Sequence, residues 1–486
     1  MGLFSRRKSK PNVNVENASY RSNGTYHAGP DTPVASELTM SIPIDPNVDP
    51  VGYLKSINAV RERSRLVHAK AKSNRLAHFT VDWDKFSETA AYVVSIVKRD
   101  YAPDYAAIPP HGRWQHFEVG GRPRIDELLD SWPASVDALN RTRRLIDLFV
   151  VSVLLDAGAG AKWQYKSIQS GKIYRRSEGI AVASLEMFTA GSFSSDGNER
   201  CRVDGSKLSG FTAEMLQSGL QVSAENPMNG FEGRLGLLRR LGDALYNEKY
   251  FGYDARPGNL MEYLMNHPST QMTSVPVIPL PALWSVLMDG LGPIWPSSRT
   301  AIDGTSLGDA WPCSSMPSAP PAQRWETIVP FHKLTQWLTY SLMLPMSKLM
   351  KVRFTGTELM TGLPEYRNGG LLIDTGLLTL RPQDLKRGVA AYHENAKITG
   401  QPNVEVVPAF NADDDVVVEW RAVTIGVLDD LLVEVNKQLG LNGANGLSLA
   451  QMLEAGTWKG GRELAEVSRP NTKEPPIMTL SDGTVF

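Results

Sequence analysis

The sequence has very little cysteine and no long apolar run. Its two cysteines, Cys201 and Cys313, lie far apart, which excludes a disulfide framework and a CxxC motif. No apolar run approaches the roughly 18 residues that a membrane span needs. We therefore expect a soluble, cytoplasmic protein. A net charge of −1 argues against the basic face that duplex binding requires, so nucleic acid is not an expected partner.

Signatures of several catalytic classes are also absent. The eight histidines are scattered and form no HExxH pair, so no metal site is expected. A G-x-S-x-G nucleophile elbow is missing. Gly158 and Gly160 extend into neither G-x-G-x-x-G nor a Walker loop, which argues against a nucleotide site. Carboxylate and Lys/Arg chemistry remains, with no cofactor expected.

The apolar content of 42% is enough for a large core, and helical periodicity dominates the chain after its first residues. We expect a mainly α fold. The opening residues are too poor in large apolar side chains to order themselves. Gly2 is in the position that N-myristoylation modifies, but the motif requires Ser or Thr at position 6 and this sequence has Arg6. The predicted divisions are a disordered tail, an N-terminal helical region, a helical domain and an extended C-terminal tail, at 1–45, 46–135, 136–460 and 461–486.

Apolar stripes and turn residues predict particular elements. A hairpin is predicted at 163–176, with its turn at Ser170 and Gly171. The segment VVVEW, at 416–420, is typical of a strand before the next helix. Predicted helices include 59–75, 82–98, 141–156, 179–190, 384–394 and 419–439.

The segment IPPHGRWQHFEVGGRPR, at 108–124, is dense in Pro and Gly and carries aromatic and ionic side chains together. Loops of this kind often line pockets. A loop pinned by a buried tryptophan, Trp114, explains the same composition equally well. Both interpretations stay open from the residues alone.

The stretch 331–381 carries the densest chemistry. A helix is predicted from Phe331, which Pro345 bends or ends because proline has no N–H to donate. LPEYRNGG then predicts a sharp loop containing Glu365 and Arg367. These groups and Lys333 can converge on a pocket, although a surface loop with a solvated ion pair fits the same residues.

Four segments together resemble the uracil-catabolism protein four family, which occurs in fungi and bacteria and is defined by a domain of unknown function. They are VRERSRLVHAKAKSNRLAHF, RWQHFEVGG, FHKLTQWLTYSL and TGLPEYRNGGLLIDTGLL. The resemblance covers nearly the whole chain from about residue 45. It implies a route of pyrimidine degradation in which a protein similar to GTP cyclohydrolase II opens the ring, and ribosylurea appears before urea is released. That ring-opening protein is a possible pathway partner.

Five short motifs, in the same order, are similar to those of the queuosine-salvage N-glycosylases. They are LDA with the following Trp, EGRLGLLRRLGDAL, FHKxxQ, LPEYR and EWRA. This likeness implies a helical domain similar to helix-hairpin-helix DNA glycosylases, with a small β-hairpin insertion, that cleaves a C–N glycosidic bond. Carried over, Glu365 takes the place of the catalytic Asp, and Lys333 that of the active-site Lys. Glu365 is one methylene longer, and Asp374 is its rival.

The same likeness implies further contacts to a small nucleoside or ureide substrate. Asp156 is the expected ribose or urea contact. Arg367 is expected to orient Glu365 or to contact a phosphate. Trp163, Gln336 and Tyr366 complete the expected binding set.

The function that the two resemblances imply is N-glycosidic hydrolysis of ribosylurea, or of its 5′-phosphate, releasing urea. Loss of the relatives' aromatic NFxFW segment, replaced by AGAGAKW, suggests a leaving group smaller than a deazaguanine. Two alternatives remain. One is an amidohydrolase or deaminase acting on the ring-opened ureide, and the other is a non-enzymatic scaffold for the ring-opening enzyme.

Overall fold

The computed structural model describes residues 43–160, 162–317, 323–364, 366–480 and 483. Helix accounts for 57% and strand for 8% of the structure, which confirms the mainly helical class. Gly2 and almost all of the predicted N-terminal tail lie outside the described residues, and so does Glu365. The likeness to DNA glycosylases and the predicted domain boundaries stay predictions.

The helices of the described residues are numbered in chain order. They are α1 Pro50–Lys55, α2 Ile57–Lys72, α3 Phe86–Tyr101, α4 Arg113–Phe117, α5 Arg124–Ser131, α6 Ala138–Leu154, α7 Arg176–Thr189, α8 Gly205–Ser209, α9 Ala213–Leu220, α10 Phe231–Ala244, α11 Glu248–Phe251, α12 Leu260–Met265, α13 Leu280–Gly290, α14 Lys333–Met350, α15 Tyr366–Asp374, α16 Pro382–Thr399, α17 Asp415–Leu439, α18 Leu449–Met452 and α19 Trp458–Ser468.

The strands are short and pair two by two. They are β1 Phe79–Val81, β2 Tyr165–Lys166, β3 Ile173–Tyr174, β4 Val277–Pro279, β5 Ala301–Ile302, β6 Thr305–Ser306, β7 Ala310–Pro312, β8 Ile328–Pro330, β9 Arg353–Thr355, β10 Leu378–Leu380, β11 Ala409–Asn411 and β12 Met478–Leu480. The pairs β4–β9 and β11–β12 are parallel; β1–β10, β2–β3, β5–β6 and β7–β8 are antiparallel. Tyr165 faces Tyr174 in β2–β3, where the sequence predicts a hairpin.

Helices α6 and α14 pack against each other through the middle of the core. Every residue from Leu145 to Leu155 is buried, as expected for a helix that is apolar nearly all round. Asp147 is the charged exception. Its carboxylate accepts hydrogen bonds from Arg256 Nε at 2.7 Å and from the Gly258 N–H at 2.7 Å, which satisfy the buried charge.

Pro345 does not end α14. The helix continues to Met350, with the proline inside it. An internal proline costs about 3 kcal/mol because it removes one hydrogen bond and crowds the preceding turn. The neighbouring Leu342, Leu344 and Met346 are all buried, and the packing of these side chains offsets that cost.

The predicted loop after Pro364 and the predicted strand at 416–420 are both wrong. In each case helix packing with residues distant in the sequence decides the structure, and local composition does not show that packing. Residues 366–374 form α15 and not a loop, so Arg367 lies in the first turn of a helix. A Cβ on Gly369 would lie 2.7 Å from the Trp420 ring, so this glycine allows close helix packing. The VVVEW segment is helical too. It follows the Asp414 N-cap, and all five of its residues are buried.

Residues 461–468 of the predicted C-terminal tail are helical, and residues 478–480 form a strand. Helix α19 continues to Ser468, and β12 pairs in parallel with β11. Glu405, which precedes β11, is linked to the segment before β12. Its carboxylate accepts hydrogen bonds from the backbone N–H groups of Asn471 and Thr472. Within the described ranges, no helix is long and apolar enough to cross a bilayer.

A partly buried ionic network fixes the start of α17. His78 Nε2 lies 2.8 Å from Asp415 Oδ2, and its Nδ1 lies 3.0 Å from Asp384 Oδ2. The Glu419 carboxylate accepts the backbone N–H groups of Ala77 and His78, each at 2.8 Å. The hydrogen bond to Asp415, followed by the one to Asp384, raises the pKa of His78 to about 9 against the opposing effect of burial.

This raised pKa predicts a pH dependence of stability. A histidine with a raised folded-state pKa contributes fully below its unfolded value of about 6.5, and the contribution is lost as pH rises through about 9. We expect the wild-type melting temperature to fall between pH 6.5 and pH 9.5. His78→Gln should melt lower at pH 6.5 and fall less over that interval. Parallel curves for the two proteins in a thermal-melting series would contradict this assignment.

Candidate active site

Arg113, in α4, joins the 108–124 segment to the end of α6. It is completely buried, and its NH1 lies 2.8 Å from Asp156 Oδ2. Its Nε donates to Ser152 Oγ at 2.8 Å, and its NH2 donates to the Ser152 carbonyl at 3.1 Å. Burial lowers the pKa of Arg113. The neighbouring Asp156 carboxyl group acts in the opposite direction and raises that pKa. An arginine stays protonated under such shifts, so a positive charge is held inside the protein beside the Asp156 carboxyl group.

His116 lies one turn further along α4 and shares the same guanidinium. Arg113 NH1 donates to His116 Nδ1 at 3.1 Å. Burial, reinforced by the nearby positive charges of Arg113 and Arg367, lowers the pKa of His116 well below its ordinary value. The ring is therefore neutral near pH 7. Because a guanidinium only donates, Nδ1 is the acceptor and the ring proton resides on Nε2.

Two tryptophans surround two histidines at this position. The His116 ring centroid lies 5.5 Å from that of Trp337 and 5.3 Å from that of Trp458. His111 lies 4.7 and 5.9 Å from the same two rings. His111 Nδ1 also lies 2.6 Å from Glu454 Oε2. Glu454 belongs to a π turn, 453–457, directly before Trp458, and such turns are frequent at functional sites.

Arg367 enters this group from α15. Its guanidinium carbon lies 4.0 Å from the centroid of the Trp458 ring, and its Nε donates to the Tyr366 hydroxyl at 3.2 Å. Glu178, on α7, pairs with Arg462 NH1 at 2.5 Å. Desolvation raises the pKa of Glu178, but the positive charges of Arg367 and Arg462 outweigh it and the pKa is lowered. Glu178 is thus an ionised, nearly buried carboxylate.

These contacts connect residues from five helices. We call the group the central cluster and define it as Arg113, His116, Asp156, Glu178, Trp337, Arg367 and Trp458. Two residues predicted from the sequence, Asp156 and Arg367, belong to it. They lie more than 200 positions apart in the chain, and Arg113, His116 and Trp458 form the chain of contacts between them.

Lys333 and Gln336, two of the site residues predicted from the sequence, belong to a hydrogen-bond network that holds the segment before Glu365. Asp309 accepts the Lys333 backbone N–H at 2.9 Å and both terminal nitrogens of Arg421 at 2.8 Å. Arg421 Nε donates to the Pro364 carbonyl at 3.4 Å. Gln336 Nε2 donates to Thr361 Oγ1 at 3.0 Å. The FHKxxQ, LPEYR and EWRA motifs are therefore connected by hydrogen bonds.

Two other predicted residues have evident structural partners. Trp163 is fully buried, and its indole N–H donates to the Leu220 carbonyl at 2.9 Å. Asp374 is held by Arg469 through two contacts, at 3.0 and 2.6 Å. Asp374 thus neither faces solvent nor lies among the central-cluster contacts. Within the described ranges, no group of three or more His, Cys, Asp or Glu side chains is arranged to hold a metal ion.

Sequence reasoning did not select Glu178, Trp337 or Trp458. Trp337 carries a usable signal, because it lies four residues after Lys333 and so shares its helix face. Glu178 and Trp458 carry none. Their partners lie far away in the sequence, and only the folded chain brings them together.

Comparison with known proteins gives the same family as the sequence motifs. Residues 53–486 match a family model described as "Protein of unknown function (DUF1688)". Uracil catabolism protein 4 of Lachancea kluyveri is 45% identical over 445 residues, covering 90% of this chain and 99% of the relative. The chain belongs to this family. Protein urg3 of Schizosaccharomyces pombe is 43% identical over 441 residues, covering 90% and 100% of the two chains.

In this family member, adjacent glycines on α19 allow a sharp test of the central-cluster geometry. A Cβ on Gly461 would lie 2.0 Å from the carbonyl oxygen of Arg367, whereas one on Gly460 would meet the flexible end of Ile96 at 3.0 Å. Gly461→Ala should lower the free energy of unfolding by about 1–3 kcal/mol. It should also displace Arg367 from the Trp458 ring, because α15 must move together with Arg367.

Gly460→Ala is the matched control. It should change the free energy of unfolding by less than about 1 kcal/mol, since alanine also favours the helix. Chemical denaturation of both variants, followed by tryptophan fluorescence, provides the test. Equal effects from the two substitutions would show that the close approach at Arg367 is not tight in solution.

Proposed function

We propose that this protein acts in uracil catabolism, as the name of its relative from Lachancea kluyveri suggests. We further propose that it hydrolyses the C–N glycosidic bond of ribosylurea, or of ribosylurea 5′-phosphate, and releases urea. The observation that supports this most strongly is the buried central cluster. It combines the ionised Glu178, the Asp156 carboxyl group, two guanidinium groups and a neutral histidine with two tryptophan rings.

The chemistry of the reaction fits such a site. Breaking the bond at C1′ leaves positive oxocarbenium character on the sugar, which a nearby carboxylate stabilises. We assign this role to Glu365, which follows Pro364 and precedes Tyr366 in the chain. Lys333 keeps Glu365 ionised or contacts a phosphate, and Arg367 orients Glu365 or contacts that same phosphate.

The substrate's sugar and ureido groups need polar partners as well. Asp156 is fixed by Arg113, so its carboxylate has a defined orientation. A carboxylate held in this way accepts hydrogen bonds from ribose hydroxyls or from the N–H groups of a ureide. Gln336 acts indirectly in this proposal, because its amide supports Thr361 in the segment that leads to Glu365.

The test is to incubate purified protein with ribosylurea and, separately, with ribosylurea 5′-phosphate while following the anomeric proton by NMR. The proposal predicts that the anomeric signal of the N-riboside is replaced by that of free ribose or ribose 5′-phosphate. The ratio of kcat/KM for the two compounds identifies which one is the substrate. An unchanged anomeric signal while ammonia accumulates would point to the amidohydrolase alternative. No change with either compound would favour the scaffold.

A further inference from the structure

The indole N–H of Trp337 is a buried donor without an acceptor. The side chain is 5% exposed, and no described residue hydrogen-bonds to its Nε1. Buried polar groups in proteins are almost always paired, and an exception calls for an explanation such as a bound water or ligand. Trp337 belongs to the central cluster and lies one helical turn after Lys333, so its donor is close to the proposed reaction.

His116 supplies a second neutral donor beside it. Arg113 donates to Nδ1, so the ring proton of the neutral imidazole resides on Nε2. The two ring centroids lie only 5.5 Å apart. Ser341, one turn after Trp337 on α14, accepts the Arg113 backbone N–H at 3.0 Å and thereby ties α14 to α4. The donors are thus carried by two helices with a fixed relation to each other.

Two neutral N–H donors select a particular kind of ligand atom. Phosphates in proteins are typically bound by guanidinium groups, lysines or helix N-termini. Neutral donors suit an uncharged carbonyl oxygen, and they bind it more strongly as negative charge develops there. Within the ribosylurea proposed as substrate, the ureido carbonyl is the group with this chemistry.

We propose that Trp337 Nε1 and His116 Nε2 bind the ureido oxygen of the substrate and stabilise the urea as it leaves. This assignment rests on the proposed function. The C1′–N bond breaks, and its electron pair passes to the urea nitrogen and is delocalised onto the bound oxygen. The oxygen of a water molecule bonds to C1′. One proton of that water remains on the new hydroxyl and the other ends on the urea nitrogen, so that ribosylurea and water give ribose and urea.

The test compares two Trp→Phe variants. Trp132 is a matched control, since it is 6% exposed, its indole N–H also has no described partner, and it packs against Arg144 outside the central cluster. Both substitutions leave a similar cavity. Trp337→Phe should lower kcat for ribosylurea by at least about tenfold, whereas Trp132→Phe should change it less than about twofold. Their melting temperatures should fall by similar amounts.

Variants of His116 provide the second readout. His116→Gln retains an N–H donor near the Nε2 position and should keep more of kcat than His116→Phe, which has none. Equal kcat for Trp337→Phe and Trp132→Phe, or equal kcat for the two His116 variants, would overturn the assignment while wild-type hydrolysis stands. Absence of urea release by the wild-type protein would instead refute the proposed function itself.

Discussion

A Glu365→Gln variant is expected to fold like the wild-type chain and to hydrolyse ribosylurea, or its 5′-phosphate, at least about 100-fold more slowly. Glutamine keeps the size of the side chain but cannot carry the negative charge that stabilises an oxocarbenium-like transition state. The preceding Pro364 carbonyl is held by Arg421, and Arg367 is stacked on Trp458 two positions further on. Steady-state kinetics of purified protein, with circular dichroism as the folding check, measure this effect.

Asp374→Asn is the control for the rival carboxylate. Asp374 already pairs with Arg469 through two hydrogen bonds, so its loss should reduce stability and leave most of the turnover intact. The opposite pattern, in which Asp374→Asn is inactive and Glu365→Gln has wild-type turnover, would transfer the catalytic role to Asp374.

The largest effect on stability is expected from Asp309→Asn. This carboxylate is fully buried and accepts hydrogen bonds from both terminal nitrogens of Arg421, from the Trp311 indole N–H and from the Lys333 backbone N–H. The positive charge of Arg421 and these hydrogen bonds outweigh burial and hold the pKa of Asp309 well below its usual range. Removing the negative charge of Asp309 from beside the buried Arg421 should cost about 3–5 kcal/mol. Denaturant unfolding measures this loss.

Asp147→Asn is the matched control for Asp309→Asn. Asp147 is equally buried and pairs with Arg256, but burial raises its pKa to about 6. Its charged form is therefore less favourable in the folded protein, and the substitution should cost less. Because Asp309 also holds Lys333 and, through Arg421, the Pro364 carbonyl, only its variant should raise KM at temperatures where both proteins are folded. A similar KM in the two variants would show that the Asp309–Arg421 pair supports the fold but not the site.

Periodicity predicts the long helices well, because an apolar stripe can be recognised in the sequence without its partner. Helices α6 and α17 lie where the pattern places them, although α17 also absorbs the predicted VVVEW strand. The Asn-Gly-Gly of α15 misleads for the opposite reason. Local composition favours a turn there, whereas Gly369 is required by the Trp420 ring packed against it. That ring lies about fifty residues away in the sequence.

Some residues of the candidate site could be predicted from the sequence, and others became evident only in the structure. Ordered motifs that resemble those of N-glycosylases select Asp156, Lys333, Gln336 and Arg367, and the structure connects each of these residues to the segment around residue 364 or to the central cluster. The 108–124 segment left two interpretations open; its tryptophan is buried, as the second expects, and the lining of a pocket stays a prediction. Trp114 is buried and donates to Glu118 at 2.7 Å, while Arg113 and His116 join the cluster. Trp458 and Glu178 escape sequence reasoning because neither carries a local motif.

The central claim is tested most directly by mass spectrometry of the products from ribosylurea labelled with ¹⁵N at both nitrogens. Cleavage at C1′ predicts intact, doubly labelled urea in a one-to-one ratio with ribose. Appearance of ¹⁵N-labelled ammonia in place of urea would contradict the account, and so would unchanged labelled substrate, whether supplied free or as the 5′-phosphate.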